Sequence, residues 1–129
     1  ARDVRVVLEG EPGGDVVHAS PQLLDRALAN IVDNAAKYSA DGTPIDVVVQ
    51  GTRVEVRDRG PGIAPADLPR VFDRFYRAPS AQGLPGSGLG LAIVAQTVER
   101  YGGGAFARNN DGPGATVGFE LPVAPDRAG

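Results

Sequence analysis

The chain has 129 residues, 42% hydrophobic and 22% charged, which suffices for one compact domain with a single core and is too short for two. Cysteine, methionine and tryptophan are absent, which excludes a disulfide framework, a thiolate metal site and a cysteine nucleophile and fits a reducing compartment. A net charge of −3 argues against nucleic acid or a membrane surface as partner, since both require basic patches.

In chain order, Asp3 to Glu9 reads as a strand, EGEPGGD as a turn, and Val16 to His18 as a second short strand. The start on ARDVRVV, directly on a strand-like stretch, reads as a piece of a longer protein. Ser20 supplies an N-cap and Pro21 suits a first helical position. Leu23, Leu24, Ala27, Leu28, Ile31, Val32 and Ala35 then recur at helical spacing, and the helix should end near Tyr38. Ile45 to Gln50 and Thr52 to Arg57 form a predicted hairpin around Gly51, with Arg53, Glu55 and Arg57 alternating against Val54 and Val56. After DRGPG come a short helix around Asp67 to Phe72 and a glycine- and proline-marked loop. A second long helix, Leu89 to Tyr101, is stopped by Gly102, Gly103 and Gly104. Phe106 to Arg108 and Ala115 to Leu121 are closing strands, and residues 123–129 read as a frayed tail. This order implies one α+β domain over residues 1–129, a two-layer sandwich with helices on one face of the sheet.

Three stretches are candidates for a site, although each alone has an ordinary structural reading. Asn30, Asn34 and Lys37 fall within a stripe roughly 60° wide at the edge of the first helix's apolar face. Asparagine is a poor helix former. A carboxamide oxygen suits Mg²⁺, which completes its shell with waters and phosphates, and an ammonium one turn on can meet a phosphate as a point charge. Asp58 to Gly62, DRGPG, sits at a strand end, where glycine and proline would break the strand whatever the function. GSGLGL, Gly86 to Leu91, opens a helix, and glycines there let backbone amides approach a phosphate. Neither a Walker loop nor the dinucleotide fingerprint is present: the single lysine, Lys37, is followed by Tyr38, and GSGLGL has leucine in sixth place after a proline-rich loop.

Taken in order, NIVDNAAKYS, DRGPG, VFDRFYR and GSGLGL resemble the N box, first glycine box, F box and second glycine box of the ATP-binding catalytic domain of two-component sensor histidine kinases. GPGATVGFELP resembles the third glycine box and closing strand. The resemblance implies the Bergerat-type fold shared with type II topoisomerase, mismatch-repair and chaperone ATPases, a mixed sheet of about five strands under three helices. ATP would lie between the helices, beneath a lid at residues 73–87.

Carried over residue by residue, the resemblance makes Asn34 the principal Mg²⁺ ligand, with Asn30 lining the same metal site, and gives Lys37 a phosphate contact. Tyr38 would pack beside the adenine or reach a phosphate. Asp58 would accept from the adenine amino group, Gly60 and Gly62 would let the backbone pass close to the base, and Ile63 would line its pocket. Gly86, Gly88, Leu89 and Gly90 would place amides at the phosphates. Phe72 and Phe75 would anchor the lid or simply pack in the core, and Arg74 and Arg77 are either solvated lid charges or contacts to phosphate or the partner domain. The third box departs from the family: Gly114 is followed by Ala115 and only then Thr116, so Thr116 is not assigned to the pocket.

Hydrolytic members of the superfamily carry a water-activating glutamate where this chain has Asn30, and Asp33, about 100° around the helix from Asn34, is not placed to replace it. Bound ATP would therefore await an external nucleophile, a histidine on a separate dimerisation domain. His18, the only histidine, lacks the sequence surroundings of that phosphoacceptor. Sequence reasoning thus arrives at a histidine kinase catalytic domain, monomeric in isolation, from a cytoplasmic segment of a membrane-anchored parent, with a response regulator downstream. A serine-kinase anti-sigma factor, a hydrolysing conformational ATPase and an inactive nucleotide-binding module are the alternatives.

Overall fold

In the computed structural model, which describes residues 4–8, 17–39, 42–74 and 90–124, five strands and two α-helices form two layers. The strands are β1 (Val4–Leu8), β2 (Ile45–Gln50), β3 (Arg53–Arg57), β4 (Gly104–Asn109) and β5 (Ala115–Glu120), and the helices α1 (Pro21–Tyr38) and α2 (Gly90–Arg100). Across the sheet the order is β1-β2-β3-β5-β4, with β1 parallel to β2 and every other neighbour antiparallel. The mixed sheet and the single helical layer are as the sequence implies. The chain crosses from β1 to β2 through α1, the connection a parallel pair requires.

Side-chain alternation along each strand sorts the residues between the two faces. Val47, Val56, Val117 and Ala107 stand in one row of paired positions, turned to the helices. They meet Ala27, Ile31 and Ala35 of α1 and Val94 and Val98 of α2, with Ile45, Phe119 and Leu121 completing the core. Each fully buried aliphatic side chain there contributes about 1.5–3 kcal/mol. The ends of the helical layer are tied together as well, because the Ser20 backbone N–H, at the N-cap of α1, donates to the Tyr101 hydroxyl just past α2 (3.2 Å).

Two expectations change. Asp67 to Phe72 is not an α-helix but the 3₁₀ turn Leu68–Arg70, so among the described residues there are two α-helices where three were expected. Pro69 has no N–H to give an α-helical ladder, and the segment closes through short-range bonds from Arg70 N–H to Asp67 O and from Asp73 N–H to Arg70 O. The second short strand does not form at Val17 and His18. Val17 packs against the core as the chain enters α1, and His18 is exposed. Among the described residues no helix is long and apolar enough to cross a membrane.

The opposite face of the sheet carries a charge cluster centred on Glu55. Its carboxylate accepts from Arg53 Nε (2.8 Å), Arg57 Nη2 (2.9 Å) and Arg108 Nη2 (2.9 Å). The Arg53 guanidinium also lies over the Phe106 ring, 4.1 Å from its centroid. The ring can lie across the sheet because Gly118, its partner position on β5, has no side chain: a Cβ there would come 2.9 Å from the ring. Burial pushes the Glu55 carboxyl up, and the hydrogen bonds from Arg108, Arg53 and Arg57 outweigh it, holding the pKa at about 2.

A carboxyl held low in the folded state stabilises the fold above its unfolded pKa, and that contribution is lost as pH falls towards the folded value. With the shift running from 4.5 to about 2, Glu55→Gln should be less stable than wild type at neutral pH by on the order of 2 kcal/mol, after allowing for solvent screening at the half-exposed arginines. The gap should narrow as pH falls from 4.5 towards 2, as read from urea midpoints of the two proteins across that range.

Candidate functional site

One edge of α1 carries the first part of the site. Ala27, Ile31 and Ala35 are buried, Ala29, Asp33 and Lys37 are exposed, and Asn30 and Asn34 sit half-buried on the border between them. Two amides one turn apart share a helix face, so both open towards the same space. The first turn of α2 approaches there: a Cβ placed on Gly90 would lie 3.9 Å from Asn30 Cβ, ordinary contact distance. The N-terminus of an α-helix presents unpaired N–H groups and a partial positive charge. That end of α2 therefore lies beside the asparagine edge of α1.

The far end of α1 leads to the second part. Ser39, buried at the C-cap, shares a hydrogen bond with the Thr43 hydroxyl (2.9 Å) and accepts from the Arg59 backbone N–H (3.3 Å). The helix that carries Lys37 is thereby fastened to the residue after Asp58. Asp58 itself, only 7% exposed, stands where β3 ends. Its backbone N–H donates to the Ala115 carbonyl (3.0 Å), and its Oδ1 accepts from the N–H groups of Gly60 (2.9 Å) and Ala115 (3.1 Å). The second oxygen, Oδ2, makes no hydrogen bond among the described residues. A carboxylate so held has a fixed orientation and one acceptor in reserve.

Asn109, the last residue of β4, and Asn110, the first of the β4–β5 connection, bind the same loop. Asn109 pairs with both backbone polar groups of Ile63, accepting from its N–H and donating to its carbonyl, each at 2.7 Å. Asn110 Nδ2 donates to the Asp58 carbonyl (3.1 Å) and the Pro113 carbonyl (3.3 Å), and its Oδ1 accepts from the Thr116 hydroxyl. Gly114 takes φ +96°, and a Cβ on it would run into the Asp58 carbonyl, so only glycine lets β5 approach so closely.

Of the residues expected from sequence, the structure places Gly90 beside Asn30, on the helix edge that Asn34 shares, and holds Asp58, Gly60, Gly62 and Ile63 in one loop tied to the end of α1 through Ser39. Lys37 is on the exposed flank of α1, and Phe72 packs against the core. The Tyr38 side chain, Gly86, Gly88, Leu89, Phe75 and Arg77 lie outside the described part of the structure, as does the expected lid beyond Arg74. Ser39, Asn109 and Asn110 were not singled out from sequence. Their signal is faint: a serine closing a helix and an Asn-Asn pair ahead of a glycine turn read as ordinary capping and turn residues.

The donor set can be tested against a divalent cation. Among the described residues no three His, Cys, Asp or Glu side chains come together. A cation at the asparagine edge would therefore be held by amide oxygen together with oxygens of the ligand and water. That set suits Mg²⁺, which is commonly bound by one or two protein groups plus phosphates.

Residues 19–125 match the family described as "Histidine kinase-, DNA gyrase B-, and HSP90-like ATPase". The signal transduction histidine-protein kinase/phosphatase MprB of Mycolicibacterium smegmatis is 42% identical over 115 residues, which cover 82% of this chain and 23% of that protein. The chain spans about a quarter of the length of such curated relatives. Among solved structures, a mycobacterial sensor histidine kinase MprB superposes with a TM-score of 0.81 at 35% identity, covering 96% of this chain and 85% of that one. Full-length ShkA in complex with AMPPNP gives 0.77 at 30% identity, over 98% of this chain and 26% of that one.

Gly114→Ala should destabilise the chain by about 1–3 kcal/mol, because it combines a strained φ with a clash against Asp58. Gly112→Ala, whose Cβ would meet nothing within 4 Å, should be close to neutral. Urea denaturation of both variants beside wild type measures the difference.

Proposed function

Since the chain belongs to the histidine kinase-, DNA gyrase B- and HSP90-like ATPase family, we propose that it binds Mg-ATP and donates the γ-phosphate to a histidine on the dimerisation domain of the same kinase. A response regulator then receives the phosphoryl group, and the domain belongs to a cytoplasmic segment of a membrane-anchored parent. The observation that carries the reading is Asp58: its Oδ1 is occupied by two backbone N–H groups, which leaves Oδ2 to accept from the 6-amino group of adenine.

The other residues take their roles around that anchor. Gly60 and Gly62 let the backbone pass close to the base, and Ile63 lines its pocket. The phosphates extend from the base towards the gap between α1 and α2, where the N–H groups at Gly90 and the ammonium of Lys37 meet their charge. In this reading Gly86, Gly88 and Leu89 would add backbone amides at the phosphates, and Tyr38 would pack beside the adenine or reach a phosphate. The side-chain oxygen of Asn34 holds Mg²⁺, with Asn30 lining the same site. The ion would supply neutralisation of phosphate charge at that edge of α1.

Asn30 also decides what the site does with ATP. A carboxylate there would deprotonate water, whereas an amide has no proton affinity to speak of near neutral pH, so hydrolysis is left without a base. Transfer awaits the acceptor histidine. Its imidazole nitrogen lone pair attacks the γ-phosphorus, the bond to the β–γ bridging oxygen breaks, ADP leaves, and the imidazole proton passes to solvent. Catalysis by this chain is positioning and charge stabilisation.

Calorimetric titration and radiolabelling test the proposal together. The chain should bind Mg-ATP, leave His18 unlabelled, release little phosphate alone, and label a separately supplied dimerisation domain of a cognate kinase. Asn34→Ala should keep its fold and lose about tenfold or more of the Mg²⁺-dependent affinity. Multiple-turnover phosphate release by the wild-type chain alone, or unchanged Mg-ATP affinity in Asn34→Ala, would contradict it.

A further inference from the structure

We infer that Asn110 is a positioning residue for base selection, acting through Asp58, and that Thr116 sets its orientation. The inference rests on the proposed adenine contact at Asp58 and assigns that contact's accuracy to side chains outside the nucleotide-binding set. Three bonds from Ala115 and Gly60 fix the Asp58 amide and one carboxylate oxygen. The Asp58 carbonyl is fixed by a side chain, Asn110 Nδ2, at 3.1 Å. The other end of that peptide unit, the Arg59 N–H, is held by Ser39 Oγ (3.3 Å), so losing the Asn110 bond leaves the unit with one anchor and lets the Gly60 N–H that follows, and that binds Oδ1, shift.

Asn110 can make the bond only with its amide the right way round. A carboxamide offers a donor on one side and an acceptor on the other, and the environment selects between the two orientations. Thr116 makes the selection: fully buried, its hydroxyl donates to Asn110 Oδ1, which turns Nδ2 towards the carbonyls of Asp58 and Pro113. The Asn110 backbone is held separately, through its N–H on the Gly114 carbonyl (3.0 Å). On β5, Thr116 lies beside Arg57 and Arg108, on the sheet face away from the helices. Among the described residues its hydroxyl bonds to Asn110. A parallel device secures the other end of the loop, where Asn109 holds both polar groups of Ile63.

Discrimination at the 6-position of a purine depends on where Oδ2 sits. Adenine offers a donor there, and hypoxanthine offers a carbonyl oxygen that a fixed carboxylate repels. A mismatched buried acceptor costs about 1–3 kcal/mol, or about 5- to 150-fold in affinity. A carboxylate free to turn aside gives up both the gain with adenine and the penalty with hypoxanthine. Loosening the relay should therefore reduce the preference for one base over the other, in addition to any loss of stability.

The test compares dissociation constants for ATP and inosine triphosphate, with Mg²⁺, for wild type, Asn110→Ala, Thr116→Val and Thr116→Ser, alongside thermal unfolding of each. Wild type should prefer ATP by at least about tenfold. Asn110→Ala and Thr116→Val should bring the ratio down by about fivefold or more, mainly through weaker ATP binding, while Thr116→Ser, which keeps the hydroxyl, should restore it. If Asn110→Ala does not fold, Thr116→Val, which replaces a buried hydroxyl by a methyl of similar size, decides the matter. Equal weakening of both nucleotides, or an unchanged ratio, would overturn the relay while leaving the adenine contact standing. Absence of any ATP preference in wild type would overturn the adenine contact and the relay with it.

Discussion

The reciprocal bonding of Asp58 and Ala115, where β3 ends against β5, is the constraint on which the rest of the site depends. Asp58 gives its N–H to the Ala115 carbonyl and receives the Ala115 N–H on Oδ1. One side chain thereby extends the strand pairing by a step beyond the last backbone pair, Arg57 with Thr116. The pairing turns a carboxylate at a strand end into a fixed element of the sheet. The absent Cβ at Gly114 allows β5 to come near enough, and Ser39 brings in the end of α1 through Arg59. Among the described residues, backbone donors bond one oxygen of this buried side chain and leave the other open.

A second, separate constraint governs the other face of the sheet. Glu55 bridges three arginines that would otherwise repel one another across β3 and β4. Two of its partners flank it on β3, two residues to either side, and the third reaches it from β4 across β5. The pocket end and the charged face are thus supported by different chemistry on the same strand: Val54 and Val56 face the helices, Glu55 faces away, and Asp58 follows beyond the strand's end. A change to Glu55 should act on stability, and a change at Asp58 on recognition.

Much of this was legible in the sequence. The helical spacing from Leu24 to Ala35, the Ser20–Pro21 start and the Gly51 hairpin carry strong local signals, and the elements form where those signals put them. The asparagine edge could be read because polar residues at helical period beside an apolar face are conspicuous. The short helix expected around Asp67 to Phe72 is a 3₁₀ turn, which Pro69 limits to Leu68–Arg70. Asn109 and Asn110 were not legible as site residues, since their partners at Ile63 and Asp58 are 46 and 52 residues away and only the sheet order brings them together. Thr116 was set aside because strand alternation turns it from the pocket, and the alternation was right. Its reach through Asn110 depends on a side-chain bond that no periodicity encodes.

The central claim is that the free oxygen of Asp58 recognises the amino group of adenine. Comparing ATP with purine riboside triphosphate, which has hydrogen in place of the 6-amino group and is otherwise the same ligand, isolates that bond. Under the proposed contact, removal of the amino group leaves a buried carboxylate oxygen without its donor and should weaken binding to the wild-type chain by about tenfold or more. Asp58→Ala, with no carboxylate to lose a partner, should bind the two nucleotides about equally. Equal affinity of the wild-type chain for both would contradict the account.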